Sequence, residues 1–224
     1  MYKELVNHAR RHLSNLVADQ GFNKSRMEVL KTLMQLRQAC CHLDLLKMEG
    51  LDPKEPSAKM NLFFELLDEG LDGGHRVLVF SQFTQMLGIL RREFEERGLN
   101  YRYLDGQTKN RLSIVREFNT DPSISVFLIS LKAGGVGLNL TGADMVIHYD
   151  PWWNPAAEDQ ATDRAYRIGQ KKTVYGIKLI TKGTVEEKVL AMQKKKKALY
   201  DATLSSDEEI AGKLEWEDVQ DLLS

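Results

Sequence analysis

Two arginines and a glutamine have side chains and a spacing suited to binding phosphate groups. Gln160, Arg164 and Arg167 lie four and three residues apart, so a helix would place them on one face. Guanidinium groups bind phosphate oxygens through two parallel N–H donors. The same spacing also fits a solvated basic face whose charges pair with Asp159 and Asp163. The pattern therefore predicts either a phosphate site or an ordinary charged surface.

A glycine-rich turn precedes these residues. Ser125–Ser130 is an apolar run without alternation, which is typical of a strand covered on both faces. It leads into Lys132–Gly137, which contains three glycines. Glycine lets the backbone approach a ligand closely and leaves N–H groups available to an anion. A turn that only needs positive φ would explain the same glycines equally well.

A helix is expected to carry the arginines. Met145–Tyr149 is a second apolar run, and the loop after it ends with Asn154 and Pro155. Asparagine is a favourable N-cap and proline is favourable at the first helical position. We therefore predict a helix from Pro155 to about Ile168, with Gly169 ending it.

Strand-like and helix-like segments alternate from residue 76 onward. The predicted strands are Val77–Phe80, Tyr101–Leu104, Ser125–Ser130, Met145–Tyr149 and Val174–Thr181, with helices at Phe83–Arg97 and Lys109–Asn119. This alternation predicts an α/β fold with a mostly parallel sheet flanked by helices, and extra helices at both ends of the chain. Ligands of such sheets bind at the carboxyl ends of the strands.

Composition narrows the classes of function. The 224 residues are 42% hydrophobic and 28% charged, with a net charge of −1, so any nucleic-acid surface must be local. The two cysteines, Cys40 and Cys41, are adjacent, which excludes a disulfide framework and fits a reducing cytoplasm. No second ligand pair follows them, so no metal site is predicted. No apolar run approaches the ~20 residues of a membrane span.

Five segments resemble, in the same order, the motifs of one family. SLKAGGVGLNLTGAD resembles motif V and QATDRAYRIGQ resembles motif VI of the Swi/Snf-type helicase-like ATPases of superfamily two. VLVFSQFTQML resembles motif IV, YLDGQT the DNA-contacting segment after it, and LITKGTVEEKVL the segment after motif VI. The wording of PWWNPA and AYRIGQ resembles bacterial members more than eukaryotic remodellers.

This resemblance implies the second, C-terminal RecA-like lobe of a DNA-dependent ATPase that translocates on double-stranded DNA, as chromatin remodellers do. It implies three regions: an N-terminal helical segment and linker at 1–57, the RecA-like lobe at 58–182, and bracing or regulatory C-terminal helices at 183–224. The implied partners are the N-terminal RecA-like lobe of the same protein and double-stranded DNA, with no membrane. The implied location is cytoplasmic and nucleoid-associated.

ATP with Mg²⁺ is the cofactor that the resemblance implies, held between two lobes and mainly by the first. Arg164 and Arg167 would reach the γ-phosphate as arginine fingers, and Gln160 would hydrogen-bond near the phosphate or its water. The further nucleotide-binding residues implied are Gly135, Gly137 and Asp163. No GxxxxGK[ST] loop and no Asp-Glu-x-His strand end are present in this sequence. We therefore expect a fragment that is inactive as an ATPase by itself.

Contacts to DNA are implied on a separate surface, through backbone N–H, hydroxyl and lysine groups that bind phosphates without sequence choice. The implied residues are Ser81, Gln82, Arg102, Asp105, Gly106, Ser130, Lys132 and Trp153. Packing beside the arginine helix is the alternative for Trp153, and more so for Trp152. Two other functions stay open, a stand-alone nucleic-acid-binding module without ATPase activity and an RNA helicase lobe.

Overall fold

The computed structural model describes residues 1–46, 57–133, 137–167, 169–195 and 213–224. The chain forms two compact units, a helical unit (Met1–Ser57 with Thr181–Ser224) and a sheet unit (Ala58–Ile180). The described helices are α1 (Tyr2–Gln20), α2 (Phe22–Cys41), α3 (Ala58–Asp72), α4 (Thr84–Glu96), α5 (Arg111–Thr120), α6 (Pro155–Thr162), α7 (Val185–Lys195) and α8 (Trp216–Leu223), with a 3₁₀ helix at Leu43–Leu46. The described strands are β1 (Val77–Ser81), β2 (Tyr101–Leu104), β3 (Val126–Ser130), β4 (Met145–His148) and β5 (Tyr175–Lys178).

The five described strands form one sheet in the order β2-β3-β1-β4-β5, and every neighbouring pair is parallel. The three inner strands are buried at every position, which explains their unbroken apolar sequences. The edge strand β5 is mostly exposed. The predicted α/β fold with a parallel sheet is therefore confirmed.

The chain order places a topological switch beside β1. From β1 the chain runs outward to β2 and returns to β3 on one side, whereas β4 and β5 lie on the other. Ligands of parallel sheets bind outside the carboxyl ends of the strands at such a switch. One face of the sheet packs into a core with α5 and the segments after β3. This core consists of Leu78, Phe80, Leu104, Val115, Phe118, Ile124, Phe127, Ile129, Ala133, Leu138, Leu140, Ala143, Val146, Ala161 and Ala165.

The helical unit brings the two ends of the chain together. Helices α1 and α2 pack on each other, and α8 contacts both α1 and α7. The Trp216 ring lies 5.9 Å from the Phe22 ring, and Arg10 Nε donates to the Leu223 carbonyl at 3.0 Å. The N-terminal and C-terminal segments therefore form one compact unit. None of the helices that the structure describes is long and apolar enough to cross a membrane.

The predicted helix at Pro155 begins as expected but is shorter than predicted. The Asn154 side chain accepts from the Ala156 N–H at 2.9 Å, which confirms the N-cap, but α6 ends at Thr162. Beyond this end, the Arg164 carbonyl accepts from the Leu140 N–H at 3.0 Å, which is a tertiary contact. The predicted end of this helix is therefore wrong, and Ile168 itself lies outside the described residues.

Candidate functional site

The segments that follow β1, β3 and β4 meet at one edge of the sheet. The Leu131 N–H donates to the Ser81 carbonyl at 2.9 Å, and the Tyr149 N–H donates to the Phe80 carbonyl at 2.9 Å. Parallel pairing therefore continues one residue beyond each strand. As a result, the glycine-rich turn, the segment after β1 and the loop that contains Trp152 and Trp153 (the Trp-Trp loop) start from neighbouring points.

The two arginines differ in exposure. After α6 the chain continues as the arginine segment (Asp163–Arg167), in which Arg164 is 3% exposed whereas Arg167 is exposed. Arg164 Nε donates to the Gln160 carbonyl at 3.2 Å, and Arg167 Nη1 donates to the Gly137 carbonyl at 3.4 Å. The helical spacing predicts both side chains on one face, whereas in the structure one is buried and the other is exposed.

Neither arginine forms an ion pair with a described carboxylate. Asp159 and Asp163 are exposed, and among the described residues neither comes within salt-bridge distance of Arg164 or Arg167. The buried Nη1 of Arg164 has no hydrogen-bond partner in the described part of the chain. Burial lowers the pKa of Arg164, and the nearby charge of Arg167 lowers it further. The segment thus combines a buried guanidinium that has a donor without a described partner with an exposed guanidinium, and an anion bound here would neutralise both charges.

The other residues predicted on the nucleotide side are only partly described. Gly137 has φ +52°, a left-handed conformation that favours glycine, and its carbonyl accepts from Arg167. Gly135 lies outside the described residues. Gln160 is exposed, and its backbone carbonyl contacts Arg164. Asp163 follows the last residue of α6. The roles assigned to these residues stay predictions.

Ser81 and Asp150 are joined at the end of β1. Ser81 is 1% exposed, and its hydroxyl donates to the Asp150 carboxylate, which also accepts from the Gln82 N–H at 3.3 Å. In this structure Ser81 therefore shapes the loop and presents no hydroxyl at the surface. The Gln82 Nε2 is buried and unpaired among the described residues. Asp150 was not predicted, although an acidic residue directly after a parallel strand is a usable signal.

Both tryptophans are buried in the sheet unit. Trp152 is 3% exposed and Trp153 is 4% exposed, so neither offers an open ring face in this structure. Glu158, which is 0% exposed, accepts from the Trp152 N–H at 2.6 Å and from Lys178 Nζ at 2.5 Å. Burial raises the pKa of Glu158 despite these two donors. The DNA contact of Trp153 stays a prediction, and the burial of its ring favours packing.

Asp105 organises the turn after β2. Its carboxylate accepts from the Gln107 N–H and the Thr108 hydroxyl, both at 2.9 Å, and from the Tyr103 hydroxyl at 3.0 Å. Burial alone would raise the pKa of Asp105, but these hydrogen bonds outweigh it and lower the pKa. Because its carboxylate is engaged, Asp105 is a turn-forming residue in this structure, while Gly106 is exposed at the tip of the turn.

Three predicted DNA-contacting residues differ in their surroundings. Arg102 donates to the Glu117 carboxylate at 2.6 Å, and this hydrogen bond raises the pKa of Arg102. Ser130 is 3% exposed. Lys132 is exposed, and its Nζ lies 5.7 Å from the centre of the Trp152 ring. Of these three residues, Lys132 presents its charge most directly to solvent.

Comparison with known proteins supports the assignment of the fold. The family model of the helicase conserved C-terminal domain matches residues 58–169, half of the chain. A Mycoplasma pneumoniae protein named an uncharacterized ATP-dependent helicase is 41% identical over 187 residues, which cover 83% of this chain and 18% of that protein. The chain thus spans less than a fifth of the length of this curated relative.

Two solved structures from Sulfolobus solfataricus match almost the whole chain. The SWI2/SNF2 ATPase core in complex with double-stranded DNA aligns with a TM-score of 0.79 and 37% identity over 99% of this chain and 46% of that one. The SWI2/SNF2 ATPase C-terminal domain aligns with a TM-score of 0.77 and 32% identity over 99% of this chain and 92% of that one. The chain therefore belongs to the helicase conserved C-terminal domain family, as a RecA-like C-terminal lobe of the SWI2/SNF2 ATPase type.

Proposed function

We propose that this chain is the second motor lobe of a DNA-dependent ATPase that translocates on double-stranded DNA. The observation that carries the proposal is the arginine segment, in which two guanidinium groups lack a described carboxylate partner. Folded proteins rarely leave a buried charge without a partner, because the loss of its hydration is costly. A triphosphate bound beside the arginine segment would supply the missing negative charge.

The two lobes would divide the chemistry between them. The first lobe would cradle the phosphates and hold Mg²⁺, because this chain carries neither a phosphate loop nor a suitable carboxylate motif. This lobe would contribute Arg167, and Arg164 behind it, to stabilise the charge that develops on the γ-phosphoryl group. Gln160, Asp163 and the Gly135–Gly137 turn would border the nucleotide. Closure of the lobes would complete the site, and hydrolysis would release it.

The DNA surface would combine Lys132 with the exposed tip of the Asp105 turn and the backbone after β1. Exposed lysine and backbone N–H groups bind phosphates without reading sequence, which suits movement along a duplex. Similarity to a SWI2/SNF2 core that is bound to double-stranded DNA supports this assignment. Ser81 and Asp105 would support this surface indirectly, by holding the loop after β1 and the turn after β2 in place.

Hydrolysis measurements test the proposal. We expect no ATP turnover by this chain alone, and turnover by the complete two-lobe protein that duplex DNA stimulates more than single-stranded DNA or RNA does. The assay is steady-state phosphate release with each nucleic acid titrated to saturation. Turnover by the isolated chain would contradict the division between lobes. Stronger stimulation by RNA would favour the RNA helicase alternative, and DNA binding without turnover would favour the stand-alone module.

Replacing Lys132 tests the DNA surface. We expect Lys132→Ala to weaken duplex binding and to reduce the slope of log K against log salt by about 0.9, since one phosphate contact is lost. Fluorescence anisotropy at several salt concentrations measures both quantities. Lys31→Ala is the matched control, because Lys31 is a solvent-facing lysine of the helical unit that pairs with Glu28. An unchanged salt slope in Lys132→Ala would remove Lys132 from the DNA surface.

A further inference from the structure

The side chain of Gln170 joins two backbone segments of the sheet unit. Its Nε2 lies 2.7 Å from the carbonyl oxygen of Ala143, 3.3 Å from that of Thr141 and 3.2 Å from that of Ala165. Thr141 and Ala143 belong to the turn before β4, whereas Ala165 lies in the arginine segment. One amide group therefore bridges the two.

The other end of the same side chain is also engaged. Gln170 Oε1 accepts from the backbone N–H groups of Lys171 and Lys172, both at 2.9 Å. Carbonyls on one side and N–H groups on the other fix a single amide orientation, in which the two N–H donors are shared among three carbonyls. Such a saturated network holds its members in one geometry.

Gln170 binds backbone groups next to both arginines. Ala165 lies between Arg164 and Arg167, and the Gln170 N–H donates to the Arg167 carbonyl at 2.9 Å. The Arg164 carbonyl accepts from the Leu140 N–H at 3.0 Å, one residue before the turn that Gln170 binds. After α6 ends at Thr162, turn hydrogen bonds hold this stretch, such as Arg164 N–H to the Ala161 carbonyl at 3.3 Å and Ala165 N–H to the Thr162 carbonyl at 3.0 Å.

We propose that Gln170 is a positioning residue, which fixes the backbone of the arginine segment and thereby places the guanidinium groups of Arg164 and Arg167. The catalytic part of this inference rests on the proposed function. Gln170 acts through the carbonyl of Ala165 and through the turn before β4, without contact to the nucleotide. Small displacements of groups that act on a transition state are costly, and about 1 Å can lower turnover about 10²-fold.

Amide hydrogen exchange in this chain tests the structural part. Gln170→Glu keeps an acceptor for Lys171 and Lys172 but loses both N–H donors, whereas Gln170→Ala loses both functions. We expect faster exchange at Leu140 in both variants, and faster exchange at Lys171 and Lys172 only in Gln170→Ala, by about 10-fold or more. Amides of β1 should exchange as in the unaltered chain, which shows that the fold persists. Unchanged exchange at Leu140 would overturn the proposal.

Turnover in the complete two-lobe protein tests the catalytic part. We expect both Gln170 variants to lower kcat about 10²-fold with little change in the KM for ATP. On the Arg167→Ala background, Gln170→Ala should cause a much smaller loss in single-turnover assays than it does alone, because the share of its effect that acts through Arg167 is already gone. Gln220→Ala, an exposed glutamine of α8, should keep full turnover.

Two results would contradict the catalytic part. One is an unchanged kcat in the Gln170 variants, and the other is an equal loss on the Arg167→Ala background. A complete protein without any ATP turnover would instead contradict the proposed function. The exchange measurement needs no hydrolysis, so it still decides whether Gln170 holds the arginine segment.

Discussion

Arg167→Ala in the complete two-lobe protein is expected to lower kcat for ATP hydrolysis about 10³- to 10⁵-fold, the range found for arginine fingers. Arg167 is exposed, and within the described residues its side chain makes one hydrogen bond, to the Gly137 carbonyl at 3.4 Å. Its removal therefore leaves no cavity and no buried group without a partner. The loss should lie in transition-state stabilisation, while duplex binding stays close to that of the unaltered protein.

Binding of phosphate analogues separates this role from a general loss of affinity. ADP with aluminium fluoride imitates the charge distribution of the transition state, and we expect Arg167→Ala to weaken its binding far more than that of ADP. Arg167→Lys should recover little, because an ammonium group lacks the planar pair of donors. Arg92→Ala, an exposed arginine of α4, is the matched control and should retain turnover. Lost duplex binding in Arg167→Ala would place this residue on the DNA surface instead.

The effect of Arg164→Ala on turnover would be harder to interpret than that of Arg167→Ala. It is 3% exposed and packs within the sheet unit, so an alanine would leave a cavity as well as remove a charge. Loss of turnover in Arg164→Ala would therefore combine misfolding with lost chemistry. Arg167 is the better probe because its side chain contributes little to the packing.

The sheet could be predicted from sequence because its inner strands are buried on both faces. Val77–Ser81, Val126–Ser130 and Met145–His148 are apolar runs, and each is followed by polar or glycine-rich residues. Parallel pairing then brings the carboxyl ends together without further information. The convergence of the glycine-rich turn, the Trp-Trp loop and the segment after β1 follows from that geometry, whereas the position of the arginine segment, which follows α6, does not.

The end of α6 could not be predicted, because it depends on a tertiary hydrogen bond. Local signals favour a helix to about Ile168, but α6 ends at Thr162 and the Arg164 carbonyl accepts from the Leu140 N–H of a distant segment. A 3.6-residue period assigns Arg164 and Arg167 to one face only while the helix continues. The different burial of the two arginines is therefore a property of the folded lobe.

Short polar side chains show a second limit of sequence-based prediction. Ser81 and Asp105 are predicted to contact DNA, and in this structure the hydroxyl of the first and the carboxylate of the second are engaged by neighbouring protein groups. Sequence alone does not distinguish a polar group that binds a ligand from one that stabilises a turn. The Asp-Gly sequence at Asp105 was a usable signal, because aspartate commonly accepts from backbone N–H groups two residues ahead.

His148 gives the sheet unit a stability that depends on pH. Its Nε2 lies 2.9 Å from the Thr162 hydroxyl oxygen, and that hydroxyl donates to the Glu158 carbonyl at 3.1 Å. With that hydroxyl donating to Glu158, Nε2 is assigned as the donor to Thr162. Burial lowers the pKa of His148 from 6.5 to about 4, and the Lys178 charge adds to the effect.

Protonation of His148 destabilises the folded chain, because its pKa is lower in the folded state than in the unfolded state. The unfolded chain binds a proton at His148 below pH 6.5 and the folded one only near 4, so stability is complete above 6.5 and lost as pH falls. The free energy of unfolding should fall by about 3 kcal/mol across this window through His148. The lowered pKa of Asp105 and of Asp144 causes a further loss of stability mainly below pH 3.8, the ordinary pKa of an aspartate. The raised pKa of Glu158 has the opposite effect and stabilises the fold as pH falls.

Comparison with His148→Phe isolates this contribution from the other titrating groups. Phenylalanine keeps the stacking on Phe80, and the Thr162 hydroxyl keeps its bond to the Glu158 carbonyl, so the variant should fold. Urea unfolding followed by tryptophan fluorescence in a Trp216→Phe background reports on the sheet unit, which then holds both remaining tryptophans. The stability difference between the two proteins should change by about 3 kcal/mol between pH 7 and pH 4. Parallel pH profiles would show that His148 titrates normally in the folded protein.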